Sequence, residues 1–513
     1  MKKRSGYLLT LGRGSGEVFD YYVDPSTTSS GAGTIASPYT VAQLNALSGS
    51  IANKRIGLKN GSWVTADTLN PTIALSDNAL YVGVYGPGAG VTIDLRKTIS
   101  GAWTSLGSNL WRHTGTQVSD GSASGNVFRN GIPMKLVQTT PAADGEAVVA
   151  VWNWQGVRGV TSTTSFSVDI YSVADPTSDG YTYTYSSSTY AIQLSGNNCT
   201  IAGKSGALIT AKGSLHQGGA FRLTGASPTI RYARVEHGSR HAILVGPNAL
   251  VEDCQFYGGR NRQENGAFDH VVCNTTAFGG SDTLTLRRNS YSTDTYMVAG
   301  SDTCAPFYSH DSGSGRLLTC TSESETFGAY MAGISPRATT TTVTSPVYSS
   351  AWGMVEEGAD TATISFIGAT GTVGRILSIN NGAGTLTFNT TSCTLTLTGS
   401  RFTGAQHFQI NQQNGGGVLV WNSTNDVLTN SDGTGSLRYV TFVAKLTLTV
   451  NGSSFPGTWD KMYACQTTLV FAGNNNNYKS GKDSFETPAG NKTTLALWKT
   501  YVSPEDAAST ATA

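Results

Sequence analysis

Charged side chains are scarce in this sequence. Asp, Glu, Lys and Arg make up 13% of its 513 residues and nearly cancel, 34 cations against 33 anions. An average soluble domain carries roughly 25%. A nucleic-acid binder needs a cationic face to displace counterions, and this composition supplies none. No run of about 18 apolar residues occurs, so no membrane helix is expected. The Ala-, Glu-, Lys- and Leu-rich heptads of bundles and coiled coils are missing too. Cysteine is sparse: Cys199, Cys254, Cys273, Cys304, Cys320, Cys393 and Cys465, odd in number, irregularly spaced and without a CxxC pair. That pattern argues against a disulfide framework or a zinc site. Reduced, mostly buried thiols are expected, as in a chain folded in a cytosol. Met1-Lys2-Lys3-Arg4 would begin an export signal, but the apolar stretch Tyr7-Leu8-Leu9-Thr10-Leu11 is too short and runs into Gly12-Arg13-Gly14.

What is present is Gly (61 residues), abundant Ser and Thr, and enough apolar matter (38% hydrophobic, 9% aromatic) for a large core. Many short strands with Gly-rich corners fit an all-β chain. Residues 1–17 read as a flexible basic arm. Residues 18–100 read as an N-terminal cap and first coils. Thr40 caps a short helix carrying Val41, Leu44 and Leu47 on one face. Ile56–Lys59 is a strand ending in an Asn60-Gly61 turn, and 81–86 and 91–94 are further strands. Residues 101–190 are rich in Trp and Tyr, and Phe166–Tyr171 alternates over six positions, so an antiparallel insertion is expected there. Residues 191–480 form the core, and 481–513 a C-terminal cap and tail.

The core reading rests on repeats. Ala191-Ile192-Gln193-Leu194-Ser195-Gly196 recurs as Ala220-Phe221-Arg222-Leu223-Thr224-Gly225, and Thr200-Ile201 recurs as Thr229-Ile230 at the same offset. Ala242-Ile243-Leu244-Val245-Gly246 repeats the theme. Ile230, Ala233 and Val235 map onto Val251, Cys254 and Phe256. Strand-and-turn units of this length, unequal but on one theme, are the mark of a solenoid. Aliphatics and thiols form inward ladders, and Gly and Asn collect at corners. A propeller would repeat every 40–50 residues or so with a fixed signature, which is absent.

The fold expected is therefore all-β, a parallel β-helix with an antiparallel insertion and short capping helices. Several stretches support it: the Asp24-Pro25-Ser26 loop, Ala36-Ser37-Pro38-Tyr39-Thr40 before the helix, Leu58-Lys59-Asn60-Gly61-Ser62-Trp63, and Asp169 to Pro176 ahead of Ala191. Together with Leu495-Ala496-Leu497-Trp498-Lys499 and Pro504-Glu505-Asp506, this order resembles the right-handed parallel β-helix proteins of the pectate-lyase-like superfamily, bacteriophage tailspikes among them. The resemblance covers residues 18–505. It implies a tail spike or fibre that contacts host surface polysaccharide. It also implies a homotrimer, and residues 1–17 would join it to a phage tail or capsid protein. The location implied is the virion tail, or secretion in the alternative. A free polysaccharide lyase or glycoside hydrolase is a second reading, and a purely structural virion protein a third.

Because charges are scarce, their clusters are conspicuous. One runs from Glu236 through His237, Arg240 and His241, then Asp253, Arg260, Arg262, Glu264, Asp269 and His270. It is expected largely in corners, with a protruding loop at 258–267. Lyase chemistry needs a base for the proton α to a uronate carboxylate, a cation to hold the enolate, and a proton donor. Arg240, His241 and His270 are candidates for handling protons. No cofactor is called for. The one metal such chemistry would admit is Ca²⁺ on Glu236, Asp253, Glu264 and Asp269. A hydrolase would use two carboxylates about 5–9.5 Å apart. A second cluster holds His310 and Asp311 beside Tyr308, with Glu323, Glu325, Arg337, Glu356 and Glu357. Trp103, Trp111, Trp152 and Trp154 are candidates for a sugar-stacking platform, or for packing the insertion. For each charged cluster, the alternative is an ordinary solvated exterior.

Overall fold

The computed structural model describes residues 17–64, 72–115, 127–136, 140–149, 166–188, 190–214, 219–237, 241–257, 269–274, 282–292, 304–309, 319–328, 334, 340–355, 362–380, 384–397, 408–411, 418–430, 445–455, 463–464, 468–479, 485–487, 489–492, 495–502 and 509–512. The chain winds as a right-handed parallel β-helix. Among the described residues, sheet A stacks 14 strands from Tyr21–Val23 to Thr468–Asn474, and sheet B stacks 15 from Gly61–Val64 to Thr510–Thr512. Sheet C stacks six, from Ile73–Leu75 to Cys304–Ser309. Each coil lies over the last at the ordinary sheet spacing of about 4.8 Å.

The repeats read from the sequence are the pairing registers. Ile192 pairs with Phe221, Thr200 with Thr229, Ile230 with Val251, and Val235 with Phe256. One inward ladder of sheet A climbs through Ile56, Val82, Ile201, Ile230, Val251 and Leu286. Higher up, the same ladder becomes Val343, Phe366, Thr390, Ser423 and Val450. In sheet B, Phe256, Tyr291, Phe327 and Tyr348 stack face to face, with centroids 5.3, 5.4 and 5.0 Å apart. The stack stops at Gly371, where a Cβ would lie 2.0 Å from the Tyr348 carbonyl oxygen.

The corner between sheets A and B is only in part the Gly-and-Asn corner expected. Its left-handed position is taken in turn by Tyr232, Asp253, Arg288, Ser324, Ser345, Gly368, Ser392, Asn425, Gly452 and Asn475, with φ of 49° to 64°. The left-handed conformation costs about 1–2 kcal/mol per non-Gly residue. It persists because each amide donates to a carbonyl of the next coil, as Asp253 does to Arg287 (3.0 Å) and Arg288 to Glu323 (2.9 Å).

The residue after such a corner points inward, and where it is polar it joins a hydrogen-bonded spine. The Cys254 amide donates to Asn289 Oδ1 (2.9 Å), and the Asn289 amide to Glu325 Oε1 (3.2 Å). Higher up, the amides of Cys393, Asp426, Ser453 and Asn476 donate to Asp426, Ser453, Asn476 and Ser509. Thus Asn476, in the run Asn474-Asn475-Asn476-Asn477, is a corner-ladder residue. Cys199, Cys254, Cys320 and Cys393 are free and buried.

Two helices are present among the described residues. Val41–Ala46 is capped by Thr40, whose hydroxyl accepts from the Gln43 amide while Gln43 reaches back, and it buries Val41 and Leu44. Leu495–Val502 buries Trp498. No helix among the described residues is long and apolar enough to cross a membrane.

Between Leu95 and Ser187 the chain leaves the solenoid. It forms a four-stranded sheet (Ile132–Pro133, Val127–Arg129, Tyr183–Ser186, Arg96–Thr98). Beside it stands a five-stranded one (Lys135–Leu136, Glu146–Val149, Phe166–Tyr171, Leu110–Gly115, Thr104–Gly107). Pairing is antiparallel except between Lys135–Leu136 and Glu146–Val149. The insertion has its own core of Ile99, Trp103, Val127, Met134, Ala147, Val168, Ile170 and Tyr183. It re-enters where the Ser187 amide and hydroxyl both donate to the Leu95 carbonyl (3.0 and 2.7 Å).

Candidate functional site

Strand alternation puts Val91, Ile93, Ala211, Val235 and Phe256 inside sheet B and sends their neighbours out. One outward row therefore reads Asp94, Lys212, Glu236, Tyr257, Ser292 on five successive coils, in register. The adjacent row reads Thr92, Thr210, Arg234, Gln255, Ser290. Glu236 sits between two cations: Lys212 Nζ is 2.9 Å from one oxygen and Arg234 Nε 2.7 Å from the other. Arg96 clasps Asp94 through Nε (2.8 Å) and a terminal nitrogen (2.6 Å), which holds its guanidinium above the usual pKa.

The insertion leans over this face. The Arg96 guanidinium lies 5.1 Å from the centre of the buried Phe128 ring. Phe128 meets the His237 ring edge-on at 6.1 Å, and His237 meets Tyr257 edge-on at 5.4 Å. A mixed-charge row therefore ends in an aromatic ring, Tyr257, that is 38% exposed. Such a strip offers an aromatic face to the C–H side of a sugar ring and cations to its oxygens. Both Glu236 oxygens are committed to cations, so the carboxylate positions rather than reacts.

The sequence cluster at 236–270 is only partly assembled here. Glu236 lies within the strand Ala233–Glu236, and His241, Asp269 and His270 begin strands, not corners. For these four the corner reading does not hold, because outward strand positions take charge as readily as corners do, whereas His237 and Asp253 do occupy left-handed corner positions. His241 pairs directly with His270 on the next coil of sheet C, and His270 with Ala305. Asp269 pairs with Cys304, and Tyr308 with Cys273. Arg240, Glu264, His310, Asp311, Trp152, Trp154, residues 1–16 and the loop 258–267 lie outside the described residues.

Trp103 is 8% exposed and packs the insertion core, its ring 5.5 Å from that of Tyr183. Trp111 is half-buried, and its Nε1 donates to the Ser172 carbonyl (3.1 Å). Ca²⁺ does not suit Glu236 or Asp253 as they stand. Glu236 is held by cations, and Asp253 is clasped by Arg288 at 2.7 Å through both oxygens. No cluster of three His, Cys, Asp or Glu that would hold a metal occurs among the described residues.

Sequence reasoning passed over Lys212, Arg234, Tyr257, Asp94 and Arg96. Their signal was the register itself: extending the Val235–Phe256 match by one position aligns Glu236 with Tyr257.

No protein-family model matches the chain, and no curated protein matches it. Several solved structures are similar. XylC, solved in complex with xylose, is 9% identical, with 90% of this chain and 84% of that chain covered and a TM-score of 0.47. PfbA, a surface adhesin of Streptococcus pneumoniae, is 9% identical over 88% and 89%, with a TM-score of 0.36. The tailspike gp61 of Pseudomonas phage phi297 is 11% identical over 82% and 68%, with a TM-score of 0.25. The fold itself rests on this chain's own strand pairing.

Proposed function

We propose that the protein is a tail-spike- or fibre-type virion protein that binds host surface polysaccharide. The observation that carries this reading is the in-register outer row Asp94–Lys212–Glu236–Tyr257, roofed by the insertion. It is a ridged surface with paired charges and one open ring, matched to an extended polymer of rings and hydroxyls. The attachment partner is a phage tail or capsid protein met through residues 1–17, and the assembly is a homotrimer. The test is binding of the full chain to a panel of capsular and lipopolysaccharide glycans. Tyr257→Ala and Lys212→Met should each weaken binding at least about tenfold, the loss of one stacked ring or charge-assisted hydrogen bond, with melting unchanged. Binding by both variants at parental strength would remove this face from the reading. Light scattering should give three times the chain mass, and a monomer would overturn the spike assignment.

One observation favours cleavage as a second reading. His241 and His270 stand on neighbouring coils with Asp269 next to His270. Eliminative products detected by ultraviolet absorbance, lost in both His241→Ala and His270→Ala, would support it. Turnover unchanged in the two variants would sink it.

A further inference from the structure

Arg96, Arg112, Arg129 and Arg288 are each gripped through two nitrogens by both oxygens of one aspartate. Arg234, on the outer face of sheet B, is held differently. Its Nε lies 2.7 Å from one oxygen of Glu236, and Lys212 Nζ takes the other oxygen at 2.9 Å. One carboxylate shared by two cations cannot clasp either as a fork. The terminal nitrogens of Arg234 are therefore left over, and no hydrogen bond engages them among the described residues. The side chain is 38% exposed, so these donors are within reach of solvent and ligand.

The charges add up the same way. Along this strip Asp94 and Glu236 stand against Arg96, Lys212 and Arg234, which leaves one cation in excess. Around the corner on sheet A, Arg231, Arg287 and Arg288 stand against Glu252, Asp253 and Glu323, and these cancel. The excess thus belongs to the strip that carries Tyr257.

The spacing suits one ring. Arg234 pairs with Gln255 on the next coil, and Glu236 with Tyr257; Gln255 and Tyr257 are both exposed. With coils about 4.8 Å apart and a rise of about 3.3 Å per residue, Arg234 and Tyr257 stand roughly 8 Å apart on the diagonal. A sugar ring over Tyr257 would place a substituent at the guanidinium. A neutral hydroxyl leaves the excess charge and the planar fork unmatched. A carboxylate or phosphate offers two oxygens at the spacing of two N–H groups.

We propose that Arg234 is a specificity-determining residue of this strip and that the sugar unit it selects is acidic. The carboxylate or phosphate of that unit lies across the terminal nitrogens of Arg234, and its ring lies on Tyr257. The proposal rests on the glycan-binding reading and names the class of sugar that the same site takes.

The test is calorimetry on the full chain with matched oligosaccharides. Uronate-bearing chains are set beside their carboxyl-reduced forms, and phosphate-bearing chains beside their dephosphorylated forms. An acidic member should bind at least about tenfold more tightly than its neutral twin, the worth of one charge-assisted contact, and the pair that shows the gap identifies the anion. Arg234→Met should erase the gap with the melting temperature unchanged. Arg234→Lys keeps the charge without the fork and should restore only part of it; full restoration would overturn the two-nitrogen contact. Equal affinity for acidic and neutral twins, or a gap that survives Arg234→Met, overturns the proposal and leaves the glycan-binding reading standing. Absence of binding to any glycan overturns both.

Discussion

Glu325 shows what a single residue costs inside a solenoid. It is wholly buried, Oε1 accepts from the Asn289 amide and side chain (3.2 and 3.3 Å), and burial pushes its pKa up to about 8 from 4.5. Buried Tyr291, Cys254 and Cys320 surround it, and Arg288 is the nearest cation to act on it. The native acid keeps its proton to a higher pH than the unfolded one. Its contribution to stability is therefore complete below the unfolded value and lost as pH rises through the native value. Glu325→Gln should match the parent in melting temperature at the acid end of that window and exceed it above. The gap would be on the order of a few kcal/mol; parallel pH profiles would show that Glu325 is not the titrating group. Asp426 is raised in the same direction by burial, so the parent's profile alone does not isolate Glu325. Trp421 is buried as well, and its Nε1 donates to Thr390 Oγ1 (3.1 Å). Trp421→Ala should cost about 3–5 kcal/mol in denaturant unfolding.

At the scale of the element, close coil stacking decides which small residues are replaceable. Gly371 sits in the strand Thr370–Asn380 at φ 111°, with the Tyr348 carbonyl 2.0 Å from where a Cβ would be. Gly371→Ala must push a coil away and should destabilise by about 2 kcal/mol or more. Gly206 is also left-handed (φ 79°), but a Cβ there meets nothing within 4 Å. Gly206→Ala should cost only the backbone term, about 1 kcal/mol. Equal losses in the two would show that conformation alone, rather than coil spacing, sets the cost. The strands themselves were legible where alternation was strict, as at Phe166–Tyr171 and Tyr81–Tyr85. The corners were legible only in part, as at Gly368, Asn425, Gly452 and Asn475. A left-handed Arg288 or Tyr232 is invisible to composition, because the hydrogen bond that stabilises it comes from the next coil.

For the whole molecule, the insertion is a guest on a continuous solenoid. Ile73 pairs with Ile192 and Val91 with Ile209 across it, as if the intervening residues were one corner. Leu95 and Ser187 are hydrogen-bonded neighbours. Replacing residues 97–185 by a short Gly-Ser linker should leave a cooperative melt and a β-type circular dichroism spectrum, while polysaccharide binding at Tyr257 weakens with the loss of Phe128. Loss of the cooperative melt would mean that the insertion is part of the folding unit.

The sequence by itself determined the architecture. Inward ladders need apolar residues at matching places on successive coils, and those recur as the 191, 220 and 242 segments whatever the loop lengths between them. It also singled out Glu236, His241, Asp269 and His270 as candidates by the rarity of charge. Only the tertiary structure decided which of them meet. Apart from the coil that carries the insertion, coil offsets run from 21 residues (Ile230 to Val251) to 36 (Leu286 to Ser322). Tyr257 follows Glu236 at the 21-residue offset already visible in the repeats, but Lys212, its partner on the preceding coil, stands at a different spacing that this offset does not predict. Glu17, Asn60, Tyr85 and Lys204, which line one cleft on the N-terminal coils, come together only because sheet stacking brings separate coils side by side.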